Sequence, residues 1–272
     1  TYADQVRELL NKFSDVPHEY IARVRFCVDV QTLPSDWRRR LGGGQTQPTL
    51  EESAPADERR IWGSGAPRVF LSHRADFKVE TKALKDELQK YGTACFVAHE
   101  DIAPTRAWQA EIERALRTMD VMVAVLSAGF RESHWTNQEL GIALGRAIPV
   151  VTLRIDEDPP GFVGAVQAVP GAGRSCALRA KALVESFALK STLVLPMQRS
   201  YVTQWEAAQN FTEAIRVMGL LETFERWPAD LIARIEEAHE SNDQLYRCAG
   251  VCNQRYPAFI ERVRKASGVA NG

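Results

Sequence analysis

TACFVAHEDIAPTRAWQAEIERALRTMDVMVAVL, residues 93–126, decides the fold class of this chain, because it contains two strand patterns separated by one helix pattern. TACFV, residues 93–97, has the length of a strand, and DVMVAVL, residues 120–126, is apolar almost throughout, as in a strand buried on both faces. The segment between them places apolar side chains at helical spacing: Trp108, Ile112, Ala115 and Leu116. A strand, a helix and a strand in succession predict a βαβ unit with parallel strands.

The same alternation extends to both sides of this stretch. RVFLS, residues 68–72, is a strand candidate before it, and IPVVTLRI, residues 148–155, is one after it. FVGAVQAV, residues 162–169, could be a fifth strand, although Gly164 and the alanines weaken the pattern. We therefore expect a flavodoxin-like α/β fold, with a parallel sheet of strand order 2-1-3-4-5 flanked by helices.

Composition and periodicity divide the chain into parts. The first 41 residues contain one helix pattern and one strand pattern, and a stretch rich in glycine, proline and small polar residues follows them. The end of the chain has only helical periodicity, with one helix expected across residues 205–218 and another beginning at Pro228. We expect four parts: an N-terminal helix-strand segment (1–41), a linker (42–66), the sheet domain (67–192) and an α-helical C-terminal region (193–272).

The composition excludes several classes of protein. The 272 residues carry a formal net charge of −1, which gives no electrostatic basis for binding nucleic acid. No apolar run approaches the roughly 18 residues of a membrane span, and the first residues lack the features of a signal peptide. The five cysteines are scattered and odd in number, as in free thiols of a reducing compartment. We expect a cytoplasmic protein that binds neither membrane nor nucleic acid.

Several motifs for cofactors and metals are incomplete. GAGRS, residues 171–175, lacks the first glycine and the lysine of a phosphate-binding loop. Cys248 and Cys252 are four residues apart, but no second pair of ligands accompanies them, so core packing is the better interpretation. A phosphoacceptor receiver domain needs acidic residues after the first and third strands, where this chain has Ser72 and Ser127.

Ligands of open parallel sheets bind beyond the carboxyl ends of the strands, where the strand order reverses. In the order 2-1-3-4-5 this crevice is flanked by the ends of the first and third strands, and Ser72 and His73 emerge there from the first. SHWTNQELGIAL, residues 133–144, follows the third strand as a helix in which Trp135 and Glu139 share one face. A carboxylate beside an aromatic ring suits a ligand with hydroxyl groups and a flat ring.

A purely structural role for Glu139 is the alternative. TNQE fits a capping box, with Thr136 as the N-cap and Glu139 at the third helical position, bonding back to the Thr136 amide. Trp135 and Leu140 would then form the hydrophobic staple around the cap. Local chemistry alone favours the cap over catalysis.

Three stretches, in this order along the chain, resemble a bacterial toll/interleukin-1 receptor (TIR) domain. They are FLSH on the first strand, HEDI with the following Pro104 in the loop after the second strand, and W-x-x-x-E, from Trp135 to Glu139, on the helix after the third strand. The family calls the loop after the second strand the BB loop. The resemblance runs from about residue 67 to about residue 156, and it leaves residues 1–65 and about 195–272 outside.

The resemblance implies an activity, since many bacterial, plant and some animal TIR domains cleave NAD+. It implies an NAD+ glycohydrolase or ADP-ribosyl cyclase, with NAD+ as substrate, no cofactor and no metal site. In the family's motif the helix glutamate, here Glu139, is the catalytic residue, and the aromatic residue, here Trp135, stacks on the substrate in cyclising members. Further substrate contacts would come, by position, from Ser72, His73, Phe77 and the BB-loop residue Asp101.

The resemblance also implies partners and a role. The family often works when assembled, with the BB loop of one copy, around residues 98–106, completing the site of the next. In bacteria such domains commonly act in antiphage defence, where they deplete NAD+ or make a nucleotide signal for an effector protein. Two other interpretations stay open: a non-catalytic TIR assembly module, adaptor or host-interfering effector, and a nucleoside deoxyribosyltransferase-like enzyme, which shares the sheet and a glutamate mechanism.

Overall fold

The computed structural model describes residues 55–63, 65–97, 106–165, 167–252 and 254–268. The chain divides into two compact units, and all described residues belong to the second unit, residues 53–272. The expected N-terminal helix-strand segment, residues 1–41, lies outside the described residues. The expected linker, residues 42–66, contains a helix near its end, α1 (Pro55–Trp62), whose Trp62 is buried with its ring 6.1 Å from that of Phe96.

Five parallel strands form one sheet in the order β2-β1-β3-β4-β5, which confirms the predicted fold. The strands are β1 (Arg68–Ser72), β2 (Ala94–Val97), β3 (Val121–Leu126), β4 (Val150–Arg154) and β5 (Val169–Pro170). The fifth strand is shorter and later than the stretch that suggested it. The first half of that stretch lies in a 3-10 turn at Gly161–Ala165, because glycine and alanine offer little side-chain packing to a sheet.

β3 lies inside the sheet, and all six of its side chains are buried. Its register places Val121 beside Val69 of β1, and Met122 beside Phe70 of the same strand. Because side chains alternate between the two faces of a sheet, Val69 and Leu71 pack into one core and Phe70 into another. Burial on both faces explains why the sequence of β3 is continuously apolar.

Helices cover both faces of the sheet. After α1 they are α2 (Lys78–Gln89), α3 (Arg106–Thr118), α4 (His134–Gly145) and α5 (Cys176–Ala188). Leu84 of α2 and Phe187 of α5 pack in the core of Val69 and Leu71. The cluster around Phe70 instead contains apolar side chains from α1, α3 and α4: Trp62, Ile112, Ala115, Leu116, Leu140 and Ala143.

The C-terminal region is helical, as predicted, and differs from expectation in one break. Its helices are α6 (Ser191–Glu206), α7 (Phe211–Leu221), α8 (Ala229–Ser241), α9 (Asp243–Tyr246), α10 (Ala249–Cys252) and α11 (Arg255–Ser267). The single helix expected across residues 205–218 is two helices. α6 ends at Glu206, and Asn210 begins α7 by accepting a hydrogen bond from the Glu213 amide at 2.9 Å. Pro228 precedes α8 as its N-cap residue.

This helical region shares one hydrophobic core with the sheet. Leu71 of β1, Phe187 of α5, Trp205 of α6 and Phe259 of α11 all belong to the same cluster of buried residues. Trp205 is completely buried, and its ring nitrogen donates a hydrogen bond to the Ile235 carbonyl at 3.1 Å. The core is therefore continuous across the predicted boundary between residues 192 and 193, while the division into four parts stays a prediction. No helix within the described ranges is long and apolar enough to cross a membrane.

Candidate functional site

The start of α4 excludes the structural role that local sequence favoured for Glu139. The N-cap is Ser133, whose side chain accepts a hydrogen bond from the Thr136 amide at 3.4 Å. Thr136 is inside the helix, and its hydroxyl donates to the Phe130 carbonyl at 2.8 Å. Glu139 is therefore the sixth residue of α4, too far along to reach the N-cap amide. The capping-box interpretation is wrong, because Thr136 bonds to the preceding loop while Ser133 begins the helix.

Glu139 instead lies over the carboxyl end of the sheet, in contact with the last residue of β1. Its side chain is only 2 % exposed. The Ser72 hydroxyl, itself fully buried, donates a hydrogen bond to Glu139 Oε2 at 2.6 Å. Among the described residues, Glu139 Oε1 has no hydrogen-bond partner although it is buried. A ligand that donates a hydrogen bond to Oε1 could therefore complete the hydrogen bonding of this buried carboxylate.

Burial changes the protonation of this carboxyl group. Removal from water disfavours the charged form and raises the pKa of Glu139 from 4.5 to about 7, against the Ser72 hydrogen bond, which lowers it. The carboxyl group therefore titrates close to neutral pH, where it can accept or release a proton with little driving force. Carboxyl groups with pKa values shifted in this way concentrate at catalytic sites.

Two carboxylates in the turn after β4, which the sequence did not suggest, accept hydrogen bonds from the loop after β3. The Ala128 amide donates to Asp156 Oδ2 at 3.0 Å, and the Gly129 amide donates to Glu157 Oε1 at 2.5 Å. On its other side the loop is held by Arg74, whose Nη1 donates to the Gly129 carbonyl at 3.0 Å. These bonds fix the path of the chain into α4. The acidic run after β4, residues 156–158, was the one available signal for them.

The structure brings two of the predicted site residues into direct contact, Ser72 and Glu139. His73 follows Ser72, is 1 % exposed, and has its Nδ1 3.3 Å from the Leu71 carbonyl oxygen. Phe77 is half-buried and packs against the core shared with α2. Trp135 lies in the first turn of α4 and is 44 % exposed, so its ring faces solvent in part.

Asp101 and most of the expected BB loop lie outside the described residues. Any contact of Asp101, His73, Phe77 or Trp135 with a ligand therefore stays a prediction. Within the described ranges, no three His, Cys, Asp or Glu side chains form a group that could hold a metal ion. Cys248, assigned to the core from sequence, is 1 % exposed.

Comparison with known proteins concerns the same part of the chain. Residues 69–180 match the family model of the TIR domain. A solved structure, the TIR domain of the Toll-related receptor TRR-2 from Hydra magnipapillata, is similar with 16 % identity and a TM-score of 0.33. That similarity covers 38 % of this chain and 82 % of the receptor domain. No curated protein matches the chain. The sheet and the helix that carries Glu139 therefore lie in a segment that matches the TIR domain family.

Proposed function

We propose that the chain cleaves the bond between nicotinamide and ribose in NAD+, with Glu139 as the catalytic residue. The observation that carries this proposal is the buried Glu139 carboxylate at the carboxyl end of β1, with one oxygen bound to Ser72 and the other without a hydrogen-bond partner among the described residues. Since Ser133 caps α4, the helix start does not account for a carboxylate at this position. Charge stabilisation at the ligand crevice does account for it.

The chemistry requires a negative charge beside the sugar. As the bond between C1 of the ribose and the nicotinamide nitrogen breaks, its electron pair leaves with nicotinamide and positive charge develops on the ribose. The ionised Glu139 carboxylate stabilises that charge. Water then adds to C1 and loses a proton, which gives ADP-ribose. If a nucleophile of the same molecule adds instead, and loses a proton, the product is a cyclic ADP-ribose isomer.

The other expected site residues would bind the substrate around Glu139. Trp135 is on the same helix with a partly exposed ring, which supports stacking on a flat ring of the substrate. His73, Phe77 and Asp101 would contact the nicotinamide ribose. We further propose self-association through residues 98–106, and a role in bacterial antiphage signalling in the cytoplasm, with a nucleotide-sensing effector protein as the partner.

The direct test is NAD+ cleavage by the purified full chain at high protein concentration, with a crowding agent. Wild type should release nicotinamide within hours, and chromatography of the products should separate ADP-ribose from a cyclic isomer. Glu139→Gln should release none. Glu185→Gln, the same change at an exposed site on α5, is the matched control and should match wild type. Folded wild type that leaves NAD+ intact, or an active Glu139→Gln variant, contradicts the proposal. Nucleosides assayed in parallel test the deoxyribosyltransferase alternative.

A second candidate is a non-catalytic TIR assembly module, adaptor or host-interfering effector. The specific observation in its favour is that Glu139 is 2 % exposed and Ser72 0 % exposed, so that substrate does not reach the carboxylate unless the site opens. Expression in cells separates the two candidates. Growth arrest with loss of cellular NAD+ that depends on Glu139 supports the enzyme, whereas an unchanged NAD+ level supports the assembly module.

A further inference from the structure

The hydrogen bond between Ser72 and Glu139 joins side chains that are 67 positions apart and closed off from solvent. Ser72 ends β1, and its Cα pairs in register with that of Ala124 on β3. The strand is hydrogen-bonded on both sides, to β2 and to β3. The Ser72 hydroxyl therefore has a fixed position, and its 2.6 Å hydrogen bond holds the Glu139 carboxylate against the sheet.

The two carboxylate oxygens of Glu139 differ in their hydrogen bonds. A serine hydroxyl has one proton to donate, and in this structure it points to Oε2. While that bond lasts, Ser72 has no proton to donate to a substrate. Oε1 is buried without a hydrogen-bond partner in the described part of the chain. We propose that Ser72 is a positioning residue, which holds Oε2 so that Oε1 is the oxygen that meets the ribose. This inference rests on the proposed function and gives Ser72 a role other than substrate contact.

The charges around the site do not perform this task. β3 has no ionisable side chain, and His134 on α4 is exposed. The other elements packed against α4 also carry ionisable residues, namely Arg68 on β1, His73 and Arg74 after it, Arg154 on β4, and Arg106, Glu111, Glu113, Arg114 and Arg117 on α3. Within the described part of the chain, burial and the Ser72 hydrogen bond are the causes that shift the pKa of Glu139. Of the described side chains, Ser72 is thus the group that favours the ionised carboxylate.

Removal of the Ser72 hydroxyl has a distinctive consequence. Ser72→Ala deletes the contact that opposes burial, so the pKa of Glu139 rises further, by about one to two units for a hydrogen bond to a charged group. Fewer molecules then carry the ionised carboxylate at pH 7. We expect kcat at pH 7 to fall about tenfold and to recover largely at pH 9, with KM for NAD+ unchanged. If Ser72 contacted the substrate directly, Ser72→Ala would instead raise KM, and alkaline pH would not restore the wild-type KM.

The decisive experiment titrates Glu139 itself, without substrate. The side-chain carboxyl carbons of glutamate are labelled with carbon-13, and the Glu139 signal is assigned by its loss in Glu139→Gln. Its titration is then followed by NMR in wild type and in Ser72→Ala. The proposal expects a higher pKa in Ser72→Ala, together with the loss of kcat that alkaline pH reverses. An unchanged titration, or a rise in KM without a change in kcat, overturns it.

The matched control is Thr152→Val. Thr152 is 1 % exposed, it pairs in register with the same Ala124 from the opposite strand, and its hydroxyl has no hydrogen-bond partner among the described residues. Its replacement removes a buried hydroxyl from the same row of the sheet at constant shape, and should leave the Glu139 titration unchanged. If this control shifts the titration as much as Ser72→Ala does, a general effect of the sheet replaces the proposed role.

If Ser72→Ala does not fold, Ser72→Cys keeps the shape and weakens the donor, and a raised pKa of Glu139 is then the expected result. If wild type does not cleave NAD+, the proposed function fails, but the NMR titration still shows whether Ser72 controls Glu139. Failure of the function and failure of this inference are therefore distinguishable.

Discussion

The stability of the Glu139→Gln variant relative to wild type should increase from acidic to alkaline pH. Glu139 is 2 % exposed, and burial raises the pKa of its carboxyl group to about 7 in the folded protein, from 4.5. The folded state therefore holds this proton more tightly than the unfolded chain does. The carboxyl group of Glu139 therefore makes its full contribution to the free energy of unfolding below about pH 4.5, and this contribution is lost as the pH rises through 7.

The magnitude follows from the size of the pKa shift. A rise from 4.5 to about 7 corresponds to about 3 kcal/mol of unfolding free energy, at about 1.4 kcal/mol per unit. Glutamine does not titrate, so whatever its amide adds or removes in this buried position is the same at every pH. The difference in unfolding free energy between variant and wild type should therefore move by about 3 kcal/mol in favour of the variant between pH 4 and pH 8.

Urea unfolding of both proteins, followed by circular dichroism across this pH range, measures the effect. Taking the difference between the two proteins removes the contributions of all other titrating groups. Glu185→Gln serves as the control for the chemical change, because Glu185 is exposed on α5. Parallel stability curves for wild type and Glu139→Gln would show that Glu139 titrates like an exposed glutamate, and the reasoning about its burial would be refuted.

Three further substitutions test how the fold supports the site, each by urea unfolding at neutral pH. Gly129→Ala should lower the unfolding free energy by about 1–2 kcal/mol, because Gly129 has φ +76° and the added methyl would also meet the Arg74 guanidinium; an unchanged midpoint would contradict this. Gly141→Ala on α4 should raise it by about 0.5–1 kcal/mol, since no atom of another described element lies within 4 Å of the added methyl, and destabilisation would mean that this helix face is covered. Trp205→Ala should lower it by about 3–5 kcal/mol in a single transition, because Trp205 lies in the core that the C-terminal helices share with the sheet, whereas two separate transitions would contradict a shared core.

The fold class could be predicted because hydrophobic periodicity is a local property. Each strand of this sheet except β5 is a short apolar run, and the buried position of β3 is visible in its six apolar residues. β5 is only two residues long, and its neighbourhood contains too few bulky side chains to produce a strand pattern.

The break between α6 and α7 shows where periodicity fails. Trp205, Ala208, Val217 and Met218 are all buried in one core, although residues 207–210 are not helical. Both helices bury a face in this same core, so apolar spacing continues through the break. The Asn210 cap was the local signal for the second helix.

The sequence by itself determined that a glutamate stands early in the helix after β3, and that a serine ends β1. It could not determine what the glutamate contacts, because TNQE satisfies a capping box as well as a catalytic motif. The tertiary structure decided this by joining Glu139 to Ser72 across 67 positions and by starting α4 at Ser133. Burial and the raised pKa of Glu139 follow from that packing, since desolvation depends on every element that surrounds a side chain and not on its neighbours in the chain.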